Sequence, residues 1–198
     1  PSLSRLRPKL KQTAFALWGL YLFLTLLEFL LLYFSGSMNL FDSVNHALTT
    51  MPSGGFSTRD ASIGFYDSFL VESIIIIFMF LAGVNFTLLW FIRDGDFKRA
   101  FGDEEFRNYV VYVTVGILAV FVALVASGTS AGRALRNSMF QVVSIGTSTG
   151  YTSTDYMDAS WPLVTHLILF ILMVVGASAG STSGGLKLLR VTLAFKVA

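Results

Sequence analysis

Four long apolar stretches run through the chain, at residues 13–34, 66–92, 107–127 and 161–175. A helix that crosses a bilayer needs about 20 mostly apolar residues, so the pattern predicts four membrane-spanning helices. Taken as one helix at 1.5 Å per residue, the second stretch reaches roughly 40 Å, which predicts tilt or an extension beyond the lipid. The fourth runs on into small residues, GASAGSTSGG at 176–185. Gly at that density weakens a helix interior by up to about 1 kcal/mol per residue relative to Ala, and a break is expected there.

A second pattern sits between the spans, in residues 40–60 and 135–155. Each segment opens on an amphipathic helical spacing: Val44, Ala47, Leu48 and Met51 in the first, Leu135, Met139, Val142 and Val143 in the second. Ten residues of helix reach about 15 Å, half a bilayer core, so such a segment enters the membrane and returns without crossing. Each half-helix then stops in a polar run, TTMPSGGFSTRD at 49–60 and SIGTSTGYTSTD at 144–155. Placing Gly55 on Gly150, a shift of 95 positions, also pairs Phe56 with Tyr151, Ser57 with Thr152, Thr58 with Ser153 and Asp60 with Asp155. The same shift brings span one near span three and span two near span four. The chain therefore reads as an internal repeat of helix, re-entrant half-helix, Gly loop and helix. Both copies have the same orientation, which sets their symmetry axis along the membrane normal.

Composition narrows the class. Hydrophobic residues make up 54% of the chain and charged residues only 13%, against roughly 25% charged in an ordinary soluble domain. A water-soluble monomer is excluded. The absence of cysteine removes disulfides, thiolate zinc sites and Cys nucleophiles. The 14 basic residues form no nucleic-acid patch. They are distributed by side instead: Arg5, Arg7, Lys9 and Lys11 before span one, Arg93, Lys98, Arg99 and Arg107 between spans two and three, and Lys187, Arg190 and Lys196 after span four. Only Arg59, Arg133 and Arg136 fall on the other side. The positive-inside rule then predicts cytoplasmic termini and a cytoplasmic middle linker. Trp18, Trp90 and Tyr109 mark the inner interface and Tyr33, Tyr66 and Trp161 the outer one. Because it opens at Pro1 without an initiator Met, the chain is expected to be a piece of a longer protein.

Irregular backbone at membrane depth is tolerated where it lines a wet cavity or is buried in protein. An alkali cation shedding water needs several oxygens without a strong anion, which main-chain carbonyls supply with help from hydroxyls. A Gly is needed where positive φ turns successive carbonyls one way, and the negative end of each half-helix faces the cation. Gly55 and Gly150 are the candidates for that strained position, with Ser53, Gly54, Ser148 and Thr149 supplying neighbouring carbonyls. The alternative is a pair of polar surface loops with ordinary turn glycines.

Other polar residues carry weaker signals. Glu28 and Glu72 lie in apolar spans, where a charge costs about 2.5–3.5 kcal/mol at the centre. Glu28 is expected to pair with a pore-helix group such as Asn45 or His46, with direct cation coordination as the alternative, and Glu72 to reach water at the outer end. Asn85 reads as an interhelical hydrogen-bonder. Asp60 and Asp155 read as mouth carboxylates or helix caps, and His46 and His166 are too isolated for a metal site. GASAG also fits G-x-S-x-G, with Ser178 as a would-be nucleophile and His166 upstream. That elbow needs a hydrolase sheet, which the pattern does not offer.

The strings SGGFST at 53–58, FMFLAGVNF at 78–86, QVVSIGTSTGYTSTDY at 141–156 and GASAGSTSGGLKLLR at 176–190 resemble the TrkH-like subunits of the Trk/Ktr/HKT superfamily of potassium transporters. The resemblance implies an all-α membrane protein built from membrane-pore-membrane units, four to a polypeptide, each giving one filter loop. By order and motif this chain resembles the second and third units: 1–95, a cytoplasmic linker at 96–106, and 107–198. It implies a filter at Ser53, Gly54, Gly55 and Phe56 and at Ser148, Thr149, Gly150 and Tyr151, with K⁺ held at Gly54, Gly55, Thr149 and Gly150. The lack of a TVGYG-like run points to a shorter, less discriminating filter than that of a K⁺ channel. The segment 176–185 resembles an intramembrane gating loop, a role carried to Gly176, Gly180, Ser181, Thr182, Gly184 and Gly185. The alternative for Gly176, Gly180 and Gly184 is a close-packing helix face.

The resemblance further implies potassium uptake across a bacterial inner (plasma) membrane, K⁺ as the transported ion with no covalently bound cofactor, a homodimer in membrane lipid, and a cytosolic nucleotide-binding, TrkA-like regulatory subunit. The linker from Asp94 to Arg107 is the expected docking surface. The alternatives are a non-conducting scaffold, an intramembrane serine protease, and a pore closed by two such chains.

Overall fold

The computed structural model describes residues 3–93 and 95–197. Asp94, at the start of the expected docking linker, and the side chains of Arg5, Arg7 and Lys9 lie outside the described residues. Nine helices follow one another within them: α1 (Leu3–Phe34), α2 (Leu40–Thr50), α3 (Phe69–Gly83), α4 (Phe86–Arg93), α5 (Phe97–Gly102), α6 (Glu104–Ala126), α7 (Ala131–Gly146), α8 (Leu163–Val174) and α9 (Leu188–Val197). A 3-10 turn at Ser62–Tyr66 leads into α3. Two residues on each side of the 177–185 loop, Val175–Gly176 (β1) and Leu186–Lys187 (β2), pair in parallel, a small departure from an all-helical chain.

Local chemistry starts the helices. The Asn39 side chain accepts from Asp42 N at 2.8 Å to open α2, Ser68 caps α3, and Asp103 accepts from Phe106 N at 3.0 Å to open α6. Acids in the first turn of α6, Glu104 and Glu105, suit the positive end of its dipole.

Two helices are long and apolar enough to cross a membrane by themselves: the Ala14–Phe34 part of α1 and Glu104–Ala126 of α6. Their outward faces carry bare apolar side chains, Trp18, Leu22, Phe23 and Leu26 on α1 and Val111, Val115, Leu118 and Val122 on α6, as a lipid-facing surface must. The second predicted span is not one tilted helix. It breaks between α3 and α4, which diverge by 107°. Val84 is extended, and Asn85 starts a new helix by accepting from Thr87 N through its side chain at 2.9 Å and from Leu88 N through its carbonyl at 2.9 Å. The fourth span is also short, since the 12 residues of α8 rise about 18 Å. In the other direction, α7 has 16 residues, about 24 Å, where a ten-residue half-helix was expected. Its extra first turn carries Arg133.

The core has two parts. The larger joins α1, α3 and α4 to Tyr109, Val113, Phe140, Val143 and Tyr151 of the second half. The smaller lies among α6, α7 and α8, around Val120, Leu124, Val142, Leu169 and Leu172. Tyr109 is fully buried and donates its hydroxyl to the Phe80 carbonyl at 3.1 Å, which fastens α6 against α3. Together these contacts bring the loops after α2 and α7 side by side.

Candidate functional site

The loop after α2 and the loop after α7 fold by the same set of hydrogen bonds. In the first, Ser53 N donates to Thr50 O, and Gly54 N and Gly55 N both donate to Thr49 O. In the second, Ser148 N donates to Ile145 O, and Thr149 N and Gly150 N both donate to Ser144 O. A hydroxyl closes each loop: Thr49 Oγ1 donates to Phe56 O at 2.8 Å and Ser144 Oγ to Tyr151 O at 2.7 Å. Every pair of equivalent positions is 95 residues apart. The left-handed residues repeat as well, Ser53 (φ 57°) and Gly55 (φ 64°) in one loop, Ser148 (φ 59°) and Gly150 (φ 87°) in the other.

This arrangement turns the N–H groups back onto the ends of α2 and α7. The carbonyls of residues 53–55 and 148–150 are left without a hydrogen-bond donor among the described residues. Each loop therefore presents three consecutive bare carbonyl oxygens beside the negative end of a helix, a ligand set for a cation rather than an anion.

The loops touch. A Cβ built on Gly55 would stand 1.8 Å from the Thr149 carbonyl oxygen, so the two backbones approach as only Gly permits. Around this contact, Tyr151 Oη and Thr49 Oγ1 are 2.6 Å apart, and Gly64 N donates to Thr152 O at 3.1 Å. Gly150 meets nothing within 4 Å. The paired residues Phe56 and Tyr151 diverge: Phe56 is 76% exposed and Tyr151 1%.

The 176–185 segment is not a helix, and its glycines are not a helix-packing stripe. After β1 it turns against both loops. Thr182 Oγ1 lies 2.8 Å from Met51 O and 2.9 Å from Ser53 Oγ, while Gly184 N donates to Ser148 Oγ at 2.5 Å. It also fills the break in the second span, where Ser178 N donates to Gly83 O and Thr182 N to Ala82 O, and Gly180 O accepts from Phe86 N. A Cβ on Gly176 would fall 2.0 Å from Gly184 O, so this crossing also requires Gly. Lys187 Nζ reaches back to the Ser183 carbonyl and to Ser181 Oγ, and the Glu105 carboxylate accepts from Ala179 N. A cavity of about 370 Å³ opens beside Gly180, Ser181 and Thr182, walled by Leu17, Trp18, Tyr21 and Phe86.

Residues 5–198 match the family model described as TrkH, cation transport protein. This chain belongs to the TrkH family. It is 39% identical over 196 residues to the Trk system potassium uptake protein TrkH of Escherichia coli K12, a match covering 98% of this chain and 40% of that protein. It is 32% identical over 191 residues to TrkI of Halomonas elongata, covering 96% of this chain and 38% of the relative. Among solved structures, the potassium transporter TrkH from Vibrio parahaemolyticus superposes with a TM-score of 0.88 at 36% identity, over 95% of this chain and 41% of that one. The chain thus spans about 40% of the length of these TrkH-family relatives and is a homologue of potassium uptake proteins.

Within this TrkH-family chain the remaining polar residues fall mostly into structural roles. Glu72 does not reach water; it is buried and held by Arg136 through bonds of 2.7 and 3.0 Å. Glu28 pairs with neither Asn45 nor His46, because Asn45 Nδ2 donates to Phe41 O and the His46 nitrogens are taken by Asp42 O and Ser57 Oγ. Asn85 bonds within its own turn rather than across helices. Asp60 is exposed, and Asp155 accepts from Met157 N at 2.9 Å in a turn. Asp158 is held below the usual carboxylate range by the backbone N–H of Ser160. Ser178 is fully buried and its Oγ has no hydrogen-bond partner among the described residues, so no base activates it. No group of three metal-binding side chains occurs among the described residues.

The sequence pattern did not single out Thr49 and Ser144, whose hydroxyls close the loops. Their signal was the same 95-residue shift that pairs the glycines. Nor did it single out Asp42, which ties Arg59 (2.8 Å) and Thr58 (2.6 Å) back to the start of α2. Nothing local distinguishes that carboxylate from a simple cap.

Proposed function

We propose that this chain supplies two of the filter loops of a potassium uptake pathway in a bacterial inner membrane. Residues 1–95 and 107–198 are two membrane-pore-membrane units of like orientation, joined by a cytoplasmic linker at 96–106. K⁺ sheds water against the carbonyls of Gly54, Gly55, Thr149 and Gly150, with Ser53, Phe56, Ser148 and Tyr151 completing the loops. The observation that carries the reading is the matched trio of bare carbonyls in two loops that share one hydrogen-bond plan and meet at Gly55 and Thr149.

The open side of Gly150, at the position where Gly55 meets the neighbouring loop, is where we place the next loop of a four-loop ring. Below it, Gly176, Gly180, Ser181, Thr182, Gly184 and Gly185 form the gate. Its bonds to Met51 O, Ser53 Oγ and Ser148 Oγ hold it against both filter loops. A cytosolic nucleotide-binding, TrkA-like subunit acts on the linker side, and the assembly is a homodimer with both termini in the cytoplasm.

Rb⁺ uptake by the complete polypeptide in K⁺-depleted cells tests the reading. Gly55→Ala and Gly150→Ala should each abolish uptake or admit Na⁺, with protein still present in the membrane. Unchanged uptake and unchanged K⁺-dependent growth in both would assign the chain to a non-conducting scaffold instead.

A further inference from the structure

The second loop is fastened from outside its own half of the chain. Past Tyr151, both main-chain groups of Thr152 are taken by the 3-10 turn at Ser62–Tyr66, which lies between the first loop and α3. Thr152 N donates to Ser62 Oγ at 3.3 Å, and Thr152 O accepts from Gly64 N at 3.1 Å. Gly64 also lies against the next residue, where an added Cβ would stand 2.7 Å from Ser153 O and 3.1 Å from Ser153 C. The first loop is arranged differently. There the residue equivalent to Thr152 is Ser57, 95 positions earlier, and its hydroxyl is 3.0 Å from Nε2 of His46, on the helix that leads into the same loop.

The turn itself is anchored. Ile63 within it is 0% exposed and packs in the larger core. Ser62 N donates to Arg59 O at 2.9 Å, and the Arg59 side chain is paired with Asp42 near the start of α2 at 2.8 Å. Ser62 stands at φ 52°, a left-handed conformation that a residue other than Gly adopts only at a cost. Strain of this kind persists where the surroundings over-determine it. Held in this way, the turn fixes the peptide planes on both sides of Thr152, two residues beyond Gly150.

We propose that Ser62 and Gly64 are specificity-determining positioning residues for the second filter loop, whose carbonyls at 148–150 they aim by clamping its C-terminal end at Thr152. The N-terminal end is set separately, by bonds from Ser148 N, Thr149 N and Gly150 N to the last turn of α7. A loop pinned at both ends cannot close around a smaller ion, so releasing one end costs discrimination before it costs flux. The inference rests on the reading of residues 148–151 as a filter loop, since only then does clamping Thr152 bear on ion selection.

The test uses the complete polypeptide reconstituted in proteoliposomes and reads the K⁺ over Na⁺ preference from competition with Rb⁺ uptake, a ratio that does not depend on how much protein folds. Gly holds a left-handed backbone without strain, so Ser62→Gly removes only the hydroxyl. Its preference should fall between about twofold and about fivefold, the upper figure being the worth of one net hydrogen bond. Gly64 is not left-handed, so Gly64→Ala acts through its contact with Ser153. Relief of that overlap takes a shift of about half an ångström, and on a scale where about 1 Å costs on the order of 100-fold the preference should fall about tenfold. Gly36→Ala is the control, because Gly36 is left-handed at φ 73° but meets nothing within 4 Å; it should keep the wild-type preference. Wild-type preference in either Ser62→Gly or Gly64→Ala, or an equal loss in Gly36→Ala, would overturn the proposal. Should Gly64→Ala not fold, Ser62→Gly decides the matter. Gly150→Ala separates the two levels of the argument. Unchanged preference in that variant brings down the filter reading and this inference with it, whereas a changed preference there beside wild-type values in Ser62→Gly and Gly64→Ala brings down this inference alone.

Discussion

The adjacent glycines of the first loop should respond very differently to the same methyl group. At Gly54 an added Cβ meets Phe56 at 3.4 Å and Thr49 O at 3.6 Å, ordinary contact distances, and its φ is not in the left-handed region. At Gly55 the backbone is left-handed, which costs a side chain about 1–2 kcal/mol. The new carbon would also sit 1.8 Å from the Thr149 carbonyl oxygen. Backbone has to move for that overlap to clear, and the oxygen displaced is one of the proposed K⁺ ligands. A misplacement of about 1 Å in a preorganised site costs on the order of 100-fold. Gly54→Ala should therefore keep Rb⁺ uptake within about threefold of wild type, the scale of a change under 1 kcal/mol. Gly55→Ala should lower uptake about 100-fold or let Na⁺ compete. The assay is Rb⁺ uptake against a Na⁺ gradient in K⁺-depleted cells, normalised to membrane-resident protein. Equal uptake and equal Na⁺ sensitivity in the two variants would refute the reasoning.

Further outcomes follow from the contacts around the loops. Thr182→Val removes the hydroxyl between Met51 O and Ser53; at about 1 kcal/mol per bond, basal flux should rise several-fold in uptake assays at fixed K⁺. Arg136→Met leaves Glu72 buried and unpaired, a loss of about 3–5 kcal/mol, and should lower the melting temperature sharply. Combining it with Glu72→Gln should recover much of that loss. Ser178→Ala deletes a buried hydroxyl with no partner among the described residues and should leave ion flux unchanged, with a melting temperature equal to or slightly above wild type.

Some of the fold was legible in the residues and some was not. The spans α1 and α6 were, because an unbroken apolar window of that length fits little besides a helix in lipid. The break between α3 and α4 was not, because Phe86–Arg93 is itself apolar and hydropathy is blind to direction. The bend is held by bonds from residues 178–182, far along the chain, and Asn85 alone reads as an interhelical hydrogen-bonder. In the loops, the shift that aligns Gly55 with Gly150 found the left-handed glycines. It did not reveal that Ser53 and Ser148 share that conformation, since a non-Gly residue in that region is unusual. The partners of Glu72 and Glu28 depend on which helices pack together, which periodicity alone does not fix.

The bonds that fill the break in the second span also limit how the proposed gating segment can travel. Ser178 N, Thr182 N and Gly180 O satisfy Gly83 O, Ala82 O and Phe86 N in turn, so withdrawing the segment strands the main-chain groups on both sides of all three bonds at once. At membrane depth each stranded group costs several kcal/mol unless another dipole takes its place. Solvent is the one replacement small enough to reach all of them. On the proposed gating role, withdrawal of this segment is a wetting transition, and its equilibrium should shift with osmotic pressure.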